Sequence, residues 1–116
     1  MAEIDVVEEN DALTHIALSG RLDATGVGAI DLKFTSHTAA RKRPALVDLS
    51  QVEFLASLGI GMLVRAAQAL RAHGAAMVLI APQGPVEETL RVSMLDRVVG
   101  IAADREEALR LLASGF

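Results

Sequence analysis

Three short stretches, Ala45–Leu49, Met77–Ala81 and Val98–Ala102, are almost continuously apolar, and amphipathic segments lie between them. A strand that is apolar at nearly every position has no solvent face, so such runs belong in a sheet covered on both sides. The intervening segments carry helical spacing. Ile60, Leu63, Val64, Ala67 and Leu70 fall on one face of a helix, with Arg65, Gln68 and Ala72 opposite. Gly74 follows, where a left-handed residue commonly ends a helix. Pro85 suits the first turn of the next helix, in which Val86, Leu90 and Ser93 share a face. Asp104 and Glu107 make a capping-box pattern ahead of Leu111 and Leu112. Strands that alternate with helices imply parallel pairing through crossover connections.

The first quarter of the chain reads differently. Ile4 to Glu8 alternates apolar and polar residues, Glu9-Asn10-Asp11 supplies a turn, and Leu13 to Ser19 reads as a second strand with Ile16 and Leu18 on one face. These predict an antiparallel hairpin at or near the edge of the sheet. Gly20-Arg21-Leu22-Asp23 then breaks the pattern and leads into a helix with Val27, Ile30, Phe34 and Thr38 at helical spacing; Gly26 and Gly28 blur its start. The expected fold is therefore α/β: one domain over residues 1–116, with a mixed sheet (an N-terminal antiparallel hairpin plus parallel strands) packed with about four helices. With 52% of residues apolar and three Phe as the only aromatics, the core is expected to consist of Leu, Ile, Val, Ala and Met.

Several function classes find no support. Cysteine is absent, which removes disulfides, thiol nucleophiles and thiolate metal ligands. Net charge is −4, and the one basic cluster, Arg41-Lys42-Arg43, is short and without interleaved aromatics. It reads as a solvated helix end complementing the helix dipole, so nucleic acid is not an expected partner. No apolar run is long enough to span a bilayer and no signal segment opens the sequence, so a cytoplasmic protein without membrane contact is expected. His15, His37 and His73 fall on separate expected elements, and no pair has the spacing of a helical metal site. Neither a Gly-x-Ser-x-Gly elbow nor a phosphate-binding Gly-Lys-Ser/Thr loop occurs. The expectation is a protein with no catalytic residues, metal or cofactor.

One segment stands out, running from Asp48 to Gly61 between a buried strand and an amphipathic helix. That is the carboxyl end of the sheet, where open α/β folds place their sites. Val52 and Phe54 alternate and are expected to point inward, pinning a loop. Ser57 falls at the expected N-cap of the helix, and Gly59 and Gly61 leave the first turn bare enough for another chain to approach.

The run Asp48-Leu49-Ser50, then Val52, Phe54, Ser57, Gly59 and Ile60, resembles the signature of the STAS domains (sulfate-transporter and anti-sigma-antagonist domains). Gly20-Arg21-Leu22-Asp23-Ala24 resembles that family's Gly-x-Leu-Asp turn after the second strand. The resemblance extends along nearly the full length and is to the stand-alone anti-sigma factor antagonists. It implies a partner switch: the unphosphorylated antagonist binds an anti-sigma factor that is also a serine kinase, phosphorylation abolishes binding, and a serine phosphatase reverses it. The phosphorylated serine corresponds to Ser57 and the turn aspartate to Asp23. The implied contact surface is Asp23, Leu55, Ala56, Ser57, Leu58, Gly59, Ile60 and Gly61, on a monomer or weak homodimer. Members of the family often carry Asp before the serine and Ser or Thr after it; here those positions are Ala56 and Leu58.

Two other readings compete. A two-component receiver domain needs a lysine after its last strand, whereas the only lysines here are Lys33 and Lys42. A ligand-sensing or scaffold module on the same fold, binding a nucleotide or other small molecule without phosphorylation, is the alternative; the scarcity of aromatics disfavours base stacking.

Overall fold

The computed structural model describes residues 1–115. Across them the chain forms strands β1 (Glu3–Glu9) and β2 (Thr14–Leu22), helix α1 (Ala24–His37), strand β3 (Ala45–Leu55), helix α2 (Ser57–Ala72), strand β4 (Met77–Ile80), helix α3 (Gly84–Val92), a 3-10 turn (Leu95–Arg97), strand β5 (Gly100–Ala102) and helix α4 (Arg105–Ser114). The five strands make one sheet in chain order, β1 antiparallel to β2 and every other pair parallel. This is the expected α/β arrangement of hairpin, parallel strands and four helices.

Crossovers that always step to the next strand in the same direction, each with the usual right hand, leave their helices on one face of the sheet. Accordingly Val27, Ile30 and Phe34 of α1, Met62, Leu63, Ala67 and Leu70 of α2, and Val86 and Leu90 of α3 share one core with Ile16, Leu18, Val47, Leu49, Met77 and Leu79. The opposite face carries a smaller cluster, in which Ala108 of α4 covers Leu46, Val78, Ile80 and Ala102. Thr38, at the end of the α1 stripe, is buried and satisfies its hydroxyl on the Phe34 carbonyl at 2.7 Å. Ser93 departs from the expected stripe: α3 ends there, and its side chain is exposed.

Arg105, in the first turn of α4, fastens that helix to the hairpin. Its guanidinium donates to Glu8 Oε1 and to His15 Nδ1, both at 2.7 Å. His15 is buried, and because Nδ1 accepts, the ring proton sits on Nε2, which has no partner among the described residues. Burial first, then the neighbouring Arg105 cation, lowers the His15 pKa below its ordinary value, against the weaker pull of Asp48 and Glu8.

Three expectations about element limits are corrected. Gly20-Arg21-Leu22 does not break the second strand: β2 continues through it, pairing Gly20 with Val52, Arg21 with Phe54 and Leu22 with Leu55. Gly20 permits this with a φ of +87°, where a Cβ would also lie 2.0 Å from the Met1 carbonyl oxygen. Residues 50–55 are likewise strand, not loop, because the second edge of β2 supplies their hydrogen bonds. The third apolar run is a strand only over Gly100–Ala102. The basic cluster also differs from a solvated helix end. Arg41 lies beyond α1 and clasps the hairpin turn, donating to the Asn10 and Leu13 carbonyls at 2.5 and 3.3 Å and to Thr14 Oγ1. Asn10 shapes that turn from within, its Oδ1 accepting from the amides of Ala12 and Leu13 at 2.8 and 3.0 Å.

Candidate functional site

The ends of β2 and β3 bring the two singled-out motifs together. Leu22 pairs with Leu55, and the Ala56 amide donates to the Leu22 carbonyl at 3.0 Å. Asp23 and Ser57 each follow directly on this bonded pair. The strand-like pairing therefore persists through Ala56, which is extended (φ −98°, ψ 175°) and is the N-cap of α2. Ser57 was expected at the cap and is instead the first helical residue. Among the described residues no side chain caps α2. Ser57 is exposed and does not perform the capping expected of it.

Asp23 does cap its helix. Its Oδ1 accepts from the Gly26 amide at 2.9 Å, and its Oδ2 lies 3.4 Å from Arg21 Nε. The Gly26 amide, with Arg21 in support, holds the Asp23 carboxyl below the usual carboxylate range. Arg21 in turn lies over the Phe54 ring, its guanidinium carbon 4.3 Å from the centroid, a cation–π arrangement. Phe54 thus faces outward, 41% exposed, against the expectation that it pins the segment from inside; Val52 alone does that, fully buried.

The expected contact residues divide. Ser57 and Leu58 are exposed, Leu58 by 53%. Asp23, Ala56, Ile60 and Gly61 are half-buried at the same end. Leu55 is 5% exposed and belongs to the core. Gly59 is buried as well, and its bareness serves the fold: a Cβ there would lie 2.7 Å from Leu55 Cδ1 and 2.8 Å from the Leu22 carbonyl oxygen. The glycine lets the first turn of α2 sit directly on β2; it is not left bare for another chain to reach. Arg21 and Phe54 were missed as exposed members of the corner. Alternation alone could not have revealed Phe54, because it puts residue 54 on the face of buried Val52; the register shift between Gly20 and Arg21 turns Phe54 outward beside Arg21.

The result is an exposed, mostly apolar corner around Ser57, with Arg21 and Asp23 as a neutral pair at its rim. Concavities lie away from it, against Arg71, Gly74 and Val98, and between Pro82, Arg91 and Glu107. Among the described residues no three His, Asp or Glu side chains are arranged to hold a metal ion, and no helix is long and apolar enough to cross a membrane.

Comparison with known proteins fits this geometry. The model of the STAS domain matches residues 4–108. The chain belongs to the STAS domain family. Among solved structures, an anti-sigma-factor antagonist (STAS) domain protein from Planctomyces limnophilus is 27% identical, with a TM-score of 0.78 over 95% of this chain and 97% of that one. An anti-sigma factor antagonist from Mycobacterium paratuberculosis superposes with a TM-score of 0.80 at 23% identity, over 96% and 95% of the two chains. The antagonist SpoIIAA in its unphosphorylated form gives 0.76 at 20% identity, over 97% of each. The STAS fold of this chain is thus shared with anti-sigma factor antagonists.

Proposed function

We propose that this chain is an anti-sigma factor antagonist that docks the start of α2 onto an anti-sigma factor with serine-kinase activity. The observation that carries the reading is the exposed Ser57 at the first position of α2, flanked by exposed Leu58 and Phe54. Exposed apolar side chains such as Phe54 and Leu58 suit a protein partner. In the modification step the γ-phosphoryl group of ATP passes to Ser57 Oγ, the hydroxyl proton leaves, and ADP is released. The phosphate adds close to two negative charges at the centre of the contact. A helix N-terminus accepts such a charge without unfolding, whereas an apolar interface does not. The existence of SpoIIAA structures in both unphosphorylated and phosphorylated forms supports the analogy. A serine phosphatase completes the cycle.

The test is incubation with the candidate kinase and ATP, followed by mapping of the phosphate, together with binding of Ser57→Ala and Ser57→Asp. Both variants should fold; Ala should bind and Asp should lose affinity. Phosphate on Ser50 or Ser93 with none on Ser57, or undiminished binding by Ser57→Asp, would refute the proposal.

A further inference from the structure

Resting on the phosphorylation of Ser57 proposed above, we propose that Arg21 is the positioning residue that pairs with the phosphoryl group and thereby rearranges the rim of the docking corner. Residues 20–24 and 54–61 build this end of the molecule, and Arg21 is the basic residue within them; the Arg65 guanidinium reaches back beside Gly61 but is paired with Asp31 at 3.5 Å. Its guanidinium is already drawn to the top of the sheet, 3.4 Å from Asp23 and stacked on Phe54. Neither partner holds it strongly, because the arginine and aspartate side chains are 55% and 36% exposed. Asp23 also has another donor, the Gly26 amide at 2.9 Å, and keeps it when Arg21 leaves.

Asp23 and Ser57 each follow directly on the bonded pair Leu22–Ala56, so a phosphoryl group on Ser57 brings a second anion to the end of the sheet that carries the Asp23 carboxylate. Charge repulsion there has to be relieved. A dianion with three acceptor oxygens outcompetes a singly charged carboxylate for a planar, forked guanidinium. Ala56 contributes by omission: an acid at that position would cap α2 and repel the phosphate, and alanine does neither. Pairing moves Arg21 off Phe54, so one event replaces a neutral apolar rim with an uncovered ring beside a net negative cluster.

The experiment uses the full chain with phosphoserine installed at position 57 during synthesis, and follows its titration by phosphorus NMR. Serine phosphate has a second pKa of about 6. With Arg21 in place the midpoint should lie below that of the same protein carrying Arg21→Gln by about half a unit to a unit, a threefold to tenfold change in proton affinity. Arg21→Lys should restore part of the difference, as a merely structural residue would not. Both variants change an exposed side chain, and equal denaturation midpoints before phosphorylation confirm that they fold. Identical titrations for the protein that retains Arg21 and for its Arg21→Gln variant would overturn the inference. Since the phosphate is built in, a kinase that leaves Ser57 unmodified would count against the switch and not against the pairing.

Discussion

Replacing Gly59 by alanine adds a single methyl group, yet it should loosen the corner on which the proposed function depends. The new Cβ would stand 2.7 Å from Leu55 Cδ1, 2.8 Å from the Leu22 carbonyl oxygen and 2.9 Å from Leu22 Cβ. The tip of Leu55 can turn away. The Leu22 carbonyl cannot, because it is part of β2 and accepts from the Ala56 amide at 3.0 Å. The first turn of α2 must therefore move outward. Overpacking of this kind costs about 1–3 kcal/mol, and weakening the Ala56–Leu22 bond adds about 0.5–1.5 kcal/mol. Alanine regains about 1 kcal/mol through its better helix propensity. The net expectation is a loss of roughly 0.5–3.5 kcal/mol. Gly28→Ala is the internal control: that glycine is exposed on α1, with nothing within 4 Å of an added Cβ. It should gain about 0.5–1 kcal/mol. Urea denaturation of the three proteins, with unchanged slopes, separates the two effects. A midpoint for Gly59→Ala at or above that of the unmodified protein would refute the close-packing argument.

Two further outcomes are expected. Leu63→Ala, at a fully buried position of α2 facing the sheet, should cost about 2–5 kcal/mol, and an unchanged denaturation midpoint would show the helix to be wrongly phased. The His15 clasp should make stability pH-dependent. Its folded pKa lies below the unfolded value of 6.5, so below that pH the unfolded chain binds more protons. The contribution is fully present above about pH 6.5 and is lost on acidification from there towards the folded pKa. His15→Asn, whose Oδ1 can stand where Nδ1 accepts from Arg105 and which does not titrate, should flatten the dependence below about pH 6.5; equal slopes for both proteins would remove His15 as its source.

The layering of the fold was legible because it rests on burial, and burial writes itself into local pattern. Val47 and Leu79 need two apolar neighbours whatever surrounds them, and Ile30 and Phe34 reach the sheet only at helical spacing. What escaped local reading was pairing at a distance. Arg21 and Ser50 through Glu53 look like turn residues by composition, and they are strand because each segment is the other's hydrogen-bonding partner. The same pairing, carried one residue further to Ala56, displaced the helix cap from Ser57. Gly59 was misread for a related reason: a glycine required by a neighbouring backbone and a glycine left open to a visitor are the same letter. The site was found by motif, and its solvent-facing composition, with Phe54 and Arg21 outside and Leu55 inside, needed the register.

A sheet whose strands follow the order of the chain has a consequence for how such a protein diverges. Everything that shapes the corner, from Gly20 through Ile60, is contiguous apart from the pairing that β4 gives to the far edge of β3. During synthesis this part emerges first, and its buried face is completed when Met77, Leu79, Val86 and Leu90 arrive. The later elements remain tied to the earlier ones, since α3 shares their core and Arg105 of α4 holds Glu8 and His15. Changes after residue 77 are answerable to that shared core as well as to the edge of β3. A change between residues 20 and 60 falls on the corner proposed to meet a partner.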